Sequence, residues 1–206
     1  MIPEFTLRFL CSIFSTLMYR VKVRGLENIP SDGPAVLVCN HVSFIDWMII
    51  AVAVPRPVRF VMHSSFLGVP FAGRIFRDAK VIPIAGLRES RGILRAALLR
   101  ISRELNDEEI VCIFPEGRLT EDGELGEFKG GIENIVTRNP VPVIPMALQG
   151  LWGSFFSRAN GKPMSKPFRR VWSRITLNIG RAVPPDQVSA LRLRNEVKEL
   201  KCRAMS

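Results

Sequence analysis

Short apolar runs alternate with longer amphipathic stretches along this chain, and that alternation predicts its elements. Residues 5–19, rich in Phe, Leu and Ile, read as a helix, and Val21–Val23 as a short strand. Turn residues crowd Asn28–Pro34, which predicts a loop. Ala35–Cys39 (AVLVC) is apolar throughout and reads as a buried strand, followed by a helix from Ser43 to Val54 that stops at Pro55. Further strands are expected at Val58–Met62, Ala79–Ile84, Glu109–Phe114, Val141–Ala147 and Ile175–Ile179. Further helices are expected at 64–77 (broken near Pro70), 89–105, 131–138 and 186–202. Ile93, Leu94, Ala97, Leu98, Ile101 and Leu105 make 89–105 the clearest of them. Strands alternating with helices predict an α/β fold, a single domain with a largely parallel central sheet flanked by helices. The sequence divides into an N-terminal helix (1–20) and a main body (21–206).

With 206 residues, 47% hydrophobic and 23% charged, the chain has the composition of one ordinary globular domain. No stretch reaches the ~18–20 apolar residues of a spanning helix. Phe9–Tyr19 is apolar between Arg8 and Arg20, without the basic n-region and small-residue cleavage site of a signal peptide. It fits a helix lying in a membrane interface, and equally a helix packing on a core. Cys11, Cys39, Cys112 and Cys202 show no metal-ligand or redox spacing, which points away from zinc and toward a reducing, cytoplasmic setting.

The net charge of +10 calls for an anionic partner or is simply a solvated surface. It is unevenly distributed. Residues 1–150 hold 17 Lys/Arg and 16 Asp/Glu, whereas residues 151–206 hold 12 against 3, a net of +9. With one Tyr in the chain, the basic residues lack the interleaved aromatics that single-stranded nucleic acid would stack on.

Ligand sites in open α/β sheets gather beyond the carboxyl ends of the strands. After AVLVC come Asn40, His41, Ser43 and Asp46. Asp46, one helical turn on, can fold back to the imidazole, fix its tautomer and leave Nε2 to take a proton. Ser43-x-x-Asp46 also resembles a capping box, which would account for both residues without catalysis. The amides of the Asn40–Ser43 turn are the expected oxyanion donors. After the 109–114 strand comes Phe114-Pro-Glu116-Gly117-Arg118-Leu-Thr120. Gly117 permits a tight turn, Arg118 can grip a phosphate, and Glu116 can anchor that arginine or a hydroxyl. Lys129, ahead of Gly130-Gly131 at a helix start, is a further possible anion contact. The chain has no G-x-S-x-G elbow, the hallmark of the commonest hydrolases.

In this order, N-H-x4-D, F-P-E-G-R and V-I-P-M-A resemble the glycerolipid acyltransferases that make phosphatidic acid from lysophosphatidic acid, over about Gly25–Gly150. The resemblance implies that His41 deprotonates the acceptor hydroxyl while Asp46 orients it. The hydroxyl then attacks the thioester of acyl-CoA or acyl-carrier protein. It implies that Glu116, Gly117 and Arg118 bind the glycerol-phosphate acceptor, with no metal or prosthetic group. Arg88 is the nearest candidate for the family's arginine, and Asn40, Ser43 and Lys129 are expected as further substrate contacts. Two departures stand out. Arg88 lies about two positions beyond the family's usual arginine, and the F-P-E-G motif continues as E-G-R-L-T rather than E-G-T-R-S. With the Leu151–Arg158 segment, these resemble the acyltransferase half of bifunctional enzymes that reacylate lysophosphatidylethanolamine. Trp152, Phe155 and Phe156 then line an acyl pocket or dip into lipid, or are ordinary core aromatics. The implied setting is the cytoplasmic face of a membrane, held peripherally by the N-terminal helix and by the 151–206 charge on anionic lipid. An acidic carrier protein is an alternative partner for that charge, and nucleic acid is not expected. The competing reading is a non-catalytic basic protein that binds membranes or nucleic acid.

Overall fold

The computed structural model describes residues 3–68, 72–159, 161–165 and 172–203, so Pro70 and Phe71 of the expected 64–77 helix lie outside the described residues. Seven strands form one sheet: β1 (Tyr19–Arg24), β2 (Ala35–Cys39), β3 (Val58–His63), β4 (Ile82–Ile84), β5 (Ile110–Ile113), β6 (Val143–Gln149) and β7 (Ser173–Ile179). Their order is β1-β7-β6-β2-β5-β3-β4. β6, β2, β5, β3 and β4 run parallel, while β7 pairs antiparallel with β6 and parallel with β1. The helices are α1 (Glu4–Met18), α2 (Asp46–Ala53), α3 (Ala72–Asp78), α4 (Arg91–Asn106), α5 (Gly131–Arg138) and α6 (Ala190–Arg203).

The alternation of side chains along a strand divides the core into two layers. Ala35, Leu37 and Cys39 of β2 pack with Leu7 and Cys11 of α1 and Met48, Ile49 and Ile50 of α2. Val36 and Val38 face the other way, onto Ala97, Ile101 and Leu105 of α4, Ile132 and Ile135 of α5, and Leu193 and Val197 of α6. A strand covered on both faces must be apolar throughout, which is why AVLVC shows no polar position.

Several boundaries differ from those read in the sequence. Ala79–Val81 closes α3 instead of opening β4. Lys80 takes a left-handed φ of 54°. Its N–H donates to Arg77 O and that of Val81 to Phe76 O, the paired bonds of a Schellman helix end. Residues 64–68 form a 3-10 turn. The C-terminal helix starts at Ala190, after a short 3-10 turn, with Ser189 Oγ accepting the Arg192 N–H. The chain leaves β2 through α2 on one face toward β3, and leaves β5 through α5 on the other face toward β6. These opposed exits make the ends of β2 and β5 the switch point at which open α/β sheets place their sites.

Candidate active site

The candidate site is built from the two turns that follow β2 and β5. Asn40 ends β2 by using its side chain as a strand partner. Its Nδ2 donates to Leu148 O at 3.0 Å, and its Oδ1 accepts the Leu148 N–H at 2.7 Å. A carboxamide thus continues the β2–β6 ladder one step past the last backbone pair, Cys39 with Met146.

The chain then turns around a single carboxylate oxygen. Asp46 Oδ2 accepts from the Val42 N–H at 2.6 Å, the Ser43 N–H at 2.9 Å and the Nδ1 of His41 at 2.9 Å. Asp46 is completely buried while the His41 ring keeps about 20% exposure. With Nδ1–H donated to the carboxylate, the Nε2 lone pair is left for a proton. Only half of the capping box forms: Asp46 accepts the Ser43 N–H, while among the described residues the Ser43 hydroxyl returns no bond. α2 starts at Asp46, its cap residue is Ile45, and no side chain caps it. Among the described residues, the buried Ser43 hydroxyl and Asp46 Oδ1 have no hydrogen-bond partner.

Phe114, the residue after β5, stacks on the His41 ring with centroids 4.2 Å apart and planes 19° from parallel. Two residues on, Glu116 Oε1 accepts the His41 N–H at 2.7 Å, and Oε2 accepts the Gly126 N–H at 2.8 Å. Burial pushes the Glu116 carboxyl above its ordinary range, and these two N–H bonds pull part of the way back. The Thr120 N–H donates to His41 O at 2.9 Å, so the β5 turn grips His41 by both backbone groups. Gly117 has a φ of 67°, and a Cβ there would lie 2.6 Å from Lys129 Nζ. Arg88, Arg118 and Lys129 are exposed, and their side chains have no hydrogen-bond or ion-pair partner among the described residues.

The structure therefore brings His41, Asp46, Glu116, Gly117 and Lys129 together. It places Asn40 and Ser43 inside the turn, buried, rather than on the surface that a substrate would meet. It also corrects the oxyanion expectation. The amides of His41, Val42 and Ser43 are occupied by Glu116 and Asp46, and that of Phe44 by Phe156 O. Phe156 packs edge-on against Phe14 of α1 and against Phe155, while Trp152 covers Gly123.

Four further polar or aromatic residues with specific partners carried no expectation from sequence. Phe114 is the first letter of the recognised motif, and its ring role could have been suspected from that position. Tyr19 hydrogen-bonds Ser154, and burial pushes its phenol up to about 12. His63, at the end of β3, contacts Glu89 Oε2 through Nε2 and Ser65 Oγ through Nδ1, both at 2.8 Å. The His63 bond, then the Gly86 N–H, hold the Glu89 carboxyl below its ordinary range.

The family model described as Acyltransferase matches residues 20–149, which span both turns, and the chain belongs to this family, the glycerolipid acyltransferases. It is 31% identical over 148 residues to the chloroplastic 1-acyl-sn-glycerol-3-phosphate acyltransferase of Arabidopsis thaliana, covering 71% of this chain and 41% of that protein. The corresponding Brassica napus protein is also 31% identical over 148 residues, with 71% and 42% covered. The chain thus spans about two fifths of the length of these relatives. Among solved structures, the 1-acyl-sn-glycerophosphate acyltransferase PlsC of Thermotoga maritima superposes with a TM-score of 0.72 at 25% identity, over 98% of this chain and 77% of that one.

Proposed function

We propose that the protein is a lysophospholipid O-acyltransferase. It moves an acyl group from a thioester, acyl-CoA or acyl-carrier protein, to the free hydroxyl of 1-acylglycerol-3-phosphate or a related lysophospholipid. The observation that carries this reading is the His41 Nδ1–Asp46 Oδ2 contact of 2.9 Å, with the His41 side chain partly exposed and Asp46 buried beneath it.

In the proposed reaction His41 Nε2 accepts the hydroxyl proton as the oxygen attacks the thioester carbonyl. The C–S bond then breaks, and the imidazolium returns the proton to the leaving thiolate. Asp46 holds the tautomer and stabilises the imidazolium. Phe114 supports the ring, whose positive charge over an aromatic face is favourable. Arg118, Lys129 and Arg88 are the proposed phosphate contacts. Each is exposed and lies in a loop after β4 or β5, and a phosphate monoester needs more than one cation. Glu116 and Asn40 act behind them, holding the turn. No metal or prosthetic group enters this scheme.

We place the enzyme on a membrane surface, on its cytoplasmic face. No helix among the described residues is long and apolar enough to cross a membrane. α1, however, exposes Phe5, Phe9, Leu10, Ile13, Phe14 and Leu17 on one side. Such a face supports interfacial binding, with anionic lipid adding about 1 kcal/mol per nearby Lys or Arg. Membership of the acyltransferase family disfavours the non-catalytic alternative.

The departures at Arg88 and E-G-R-L-T support a second acceptor, lysophosphatidylethanolamine, whose phosphodiester carries less charge. A panel of lysolipids crossed with both donors, read by product mass, tests the proposal. New diacyl product from at least one pair is expected, and its absence from every pair would overturn the reading.

A further inference from the structure

Helix α6 (Ala190–Arg203) lies outside the region that the family model covers, yet hydrogen bonds connect it to the catalytic turn. It is seated by Leu193, Val197 and Leu200 in the second core layer. Its last turn is tied to the sheet. Asn178 Nδ2 donates to Leu200 O at 2.8 Å, and Gln149 Nε2 donates to Lys201 O. From this fixed helix Arg194 reaches the loop between β5 and α5. Its Nε donates to Gly126 O at 2.9 Å and its Nη2 to Leu125 O at 3.2 Å.

The second of these bonds bears on the site. Leu125 O and the Gly126 N–H belong to one peptide group. The guanidinium pulls on its oxygen while its N–H donates to Glu116 Oε2 at 2.8 Å. A cation on the carbonyl polarises the peptide and makes the N–H a stronger donor. Glu116 Oε1 in turn receives the His41 N–H at 2.7 Å. The packing is tight at the joint, since a Cβ on Gly126 would lie 2.9 Å from Glu116 Oε2. Two carbonyls of adjacent residues are held by one planar fork, which an ammonium group cannot match with the same geometry.

We propose that Arg194 is a positioning residue for catalysis, acting through the Leu125–Gly126 peptide and the Glu116 carboxylate on the backbone of His41. The inference rests on the acyltransferase reading. Other charged groups near this joint are Lys201, whose charge is felt at Glu116, and the neighbouring Glu124 and Glu127. Burial already disfavours the Glu116 carboxylate, so each N–H bond it receives matters for keeping it ionised. Loss of the Arg194 fork weakens the Gly126 bond, raises the Glu116 pKa further, and lets Glu116 take up a proton at higher pH.

The test uses the full chain with Arg194→Met, which keeps the aliphatic stem and deletes the donors, and Arg194→Lys, which restores the charge. Wild-type acyl transfer establishes the underlying reading; if it is absent, that reading fails and not this one. With wild type active, Arg194→Met is expected to lower kcat about 10- to 100-fold. The acceptor KM should stay nearly unchanged, the acidic limb of the pH–rate profile should move to higher pH, and Arg194→Lys should recover part of the loss. Independently of activity, exchange of the His41 amide should accelerate at least about tenfold in Arg194→Met, as its acceptor loosens. Wild-type kcat with an unmoved limb would overturn the proposal. So would a loss that merely follows the folded fraction and leaves the limb and the His41 amide unchanged.

Discussion

The backbone N–H of His41 donates to Glu116 Oε1 at 2.7 Å, across 75 positions of sequence. This bond makes one site of two turns that belong to different strands. Glu116 is buried and both of its oxygens are taken by backbone N–H groups, from His41 and Gly126. It is thus committed to holding the His41 turn.

Glu116→Gln tests that role through pH. Burial raises the folded-state pKa of Glu116 above its unfolded value of about 4.3. A raised pKa means that the stabilising contribution is complete below the unfolded value and is lost as pH rises through the folded one. The stability of wild type relative to Glu116→Gln should therefore fall as pH increases across that window. Chemical denaturation of both proteins from pH 4 to 8 measures it. A difference that grows in favour of wild type with rising pH would contradict the assignment.

Asn40 makes a separate prediction about stability. Asn40→Ala leaves the Leu148 N–H and C=O, both buried, without the partners they have now. The expected cost is about 1–3 kcal/mol. A chain of this size should lose about 2–4 °C in Tm per kcal/mol. A calorimetric scan showing no change would remove Asn40 from the frame of the site.

The exposed face of α1 predicts vesicle binding. Phe9 and Leu17 are 56% and 61% exposed. Replacing both with Ser should weaken partitioning onto anionic vesicles about tenfold or more, from the apolar area no longer buried. Flotation with vesicles reads this directly. Binding that is unchanged by the double substitution but abolished by high salt would assign the contact to charge instead.

Much of this arrangement was legible in the sequence because the signals are local. AVLVC is apolar at every position because both its faces are covered, and the helical spacing of Ile93, Ala97, Ile101 and Leu105 marks α4. The His41–Asp46 contact followed from a spacing of five residues. Long-range assignments were harder. Asn40 and Ser43 read as substrate contacts, because a polar residue after a strand end does not reveal whether it faces solvent or the neighbouring strand. Asn40 turns inward to Leu148, 108 positions away. The oxyanion amides failed for the same reason. A sequence shows that N–H groups exist in a turn but not that Asp46 and Glu116 already occupy them. Part of the charge of residues 151–206 lies in β7 and α6, which are built into the sheet and its cover.

The central claim is that His41, oriented by Asp46, is the base for acyl transfer. It is tested most directly by turnover of 1-acylglycerol-3-phosphate with an acyl thioester, comparing wild type with His41→Ala and Asp46→Asn and reading diacyl product by mass. The account predicts product from wild type. It predicts losses of about 10²–10⁴-fold in both variants, with thermal melts showing His41→Ala folded as wild type. Wild-type turnover by folded His41→Ala would contradict it.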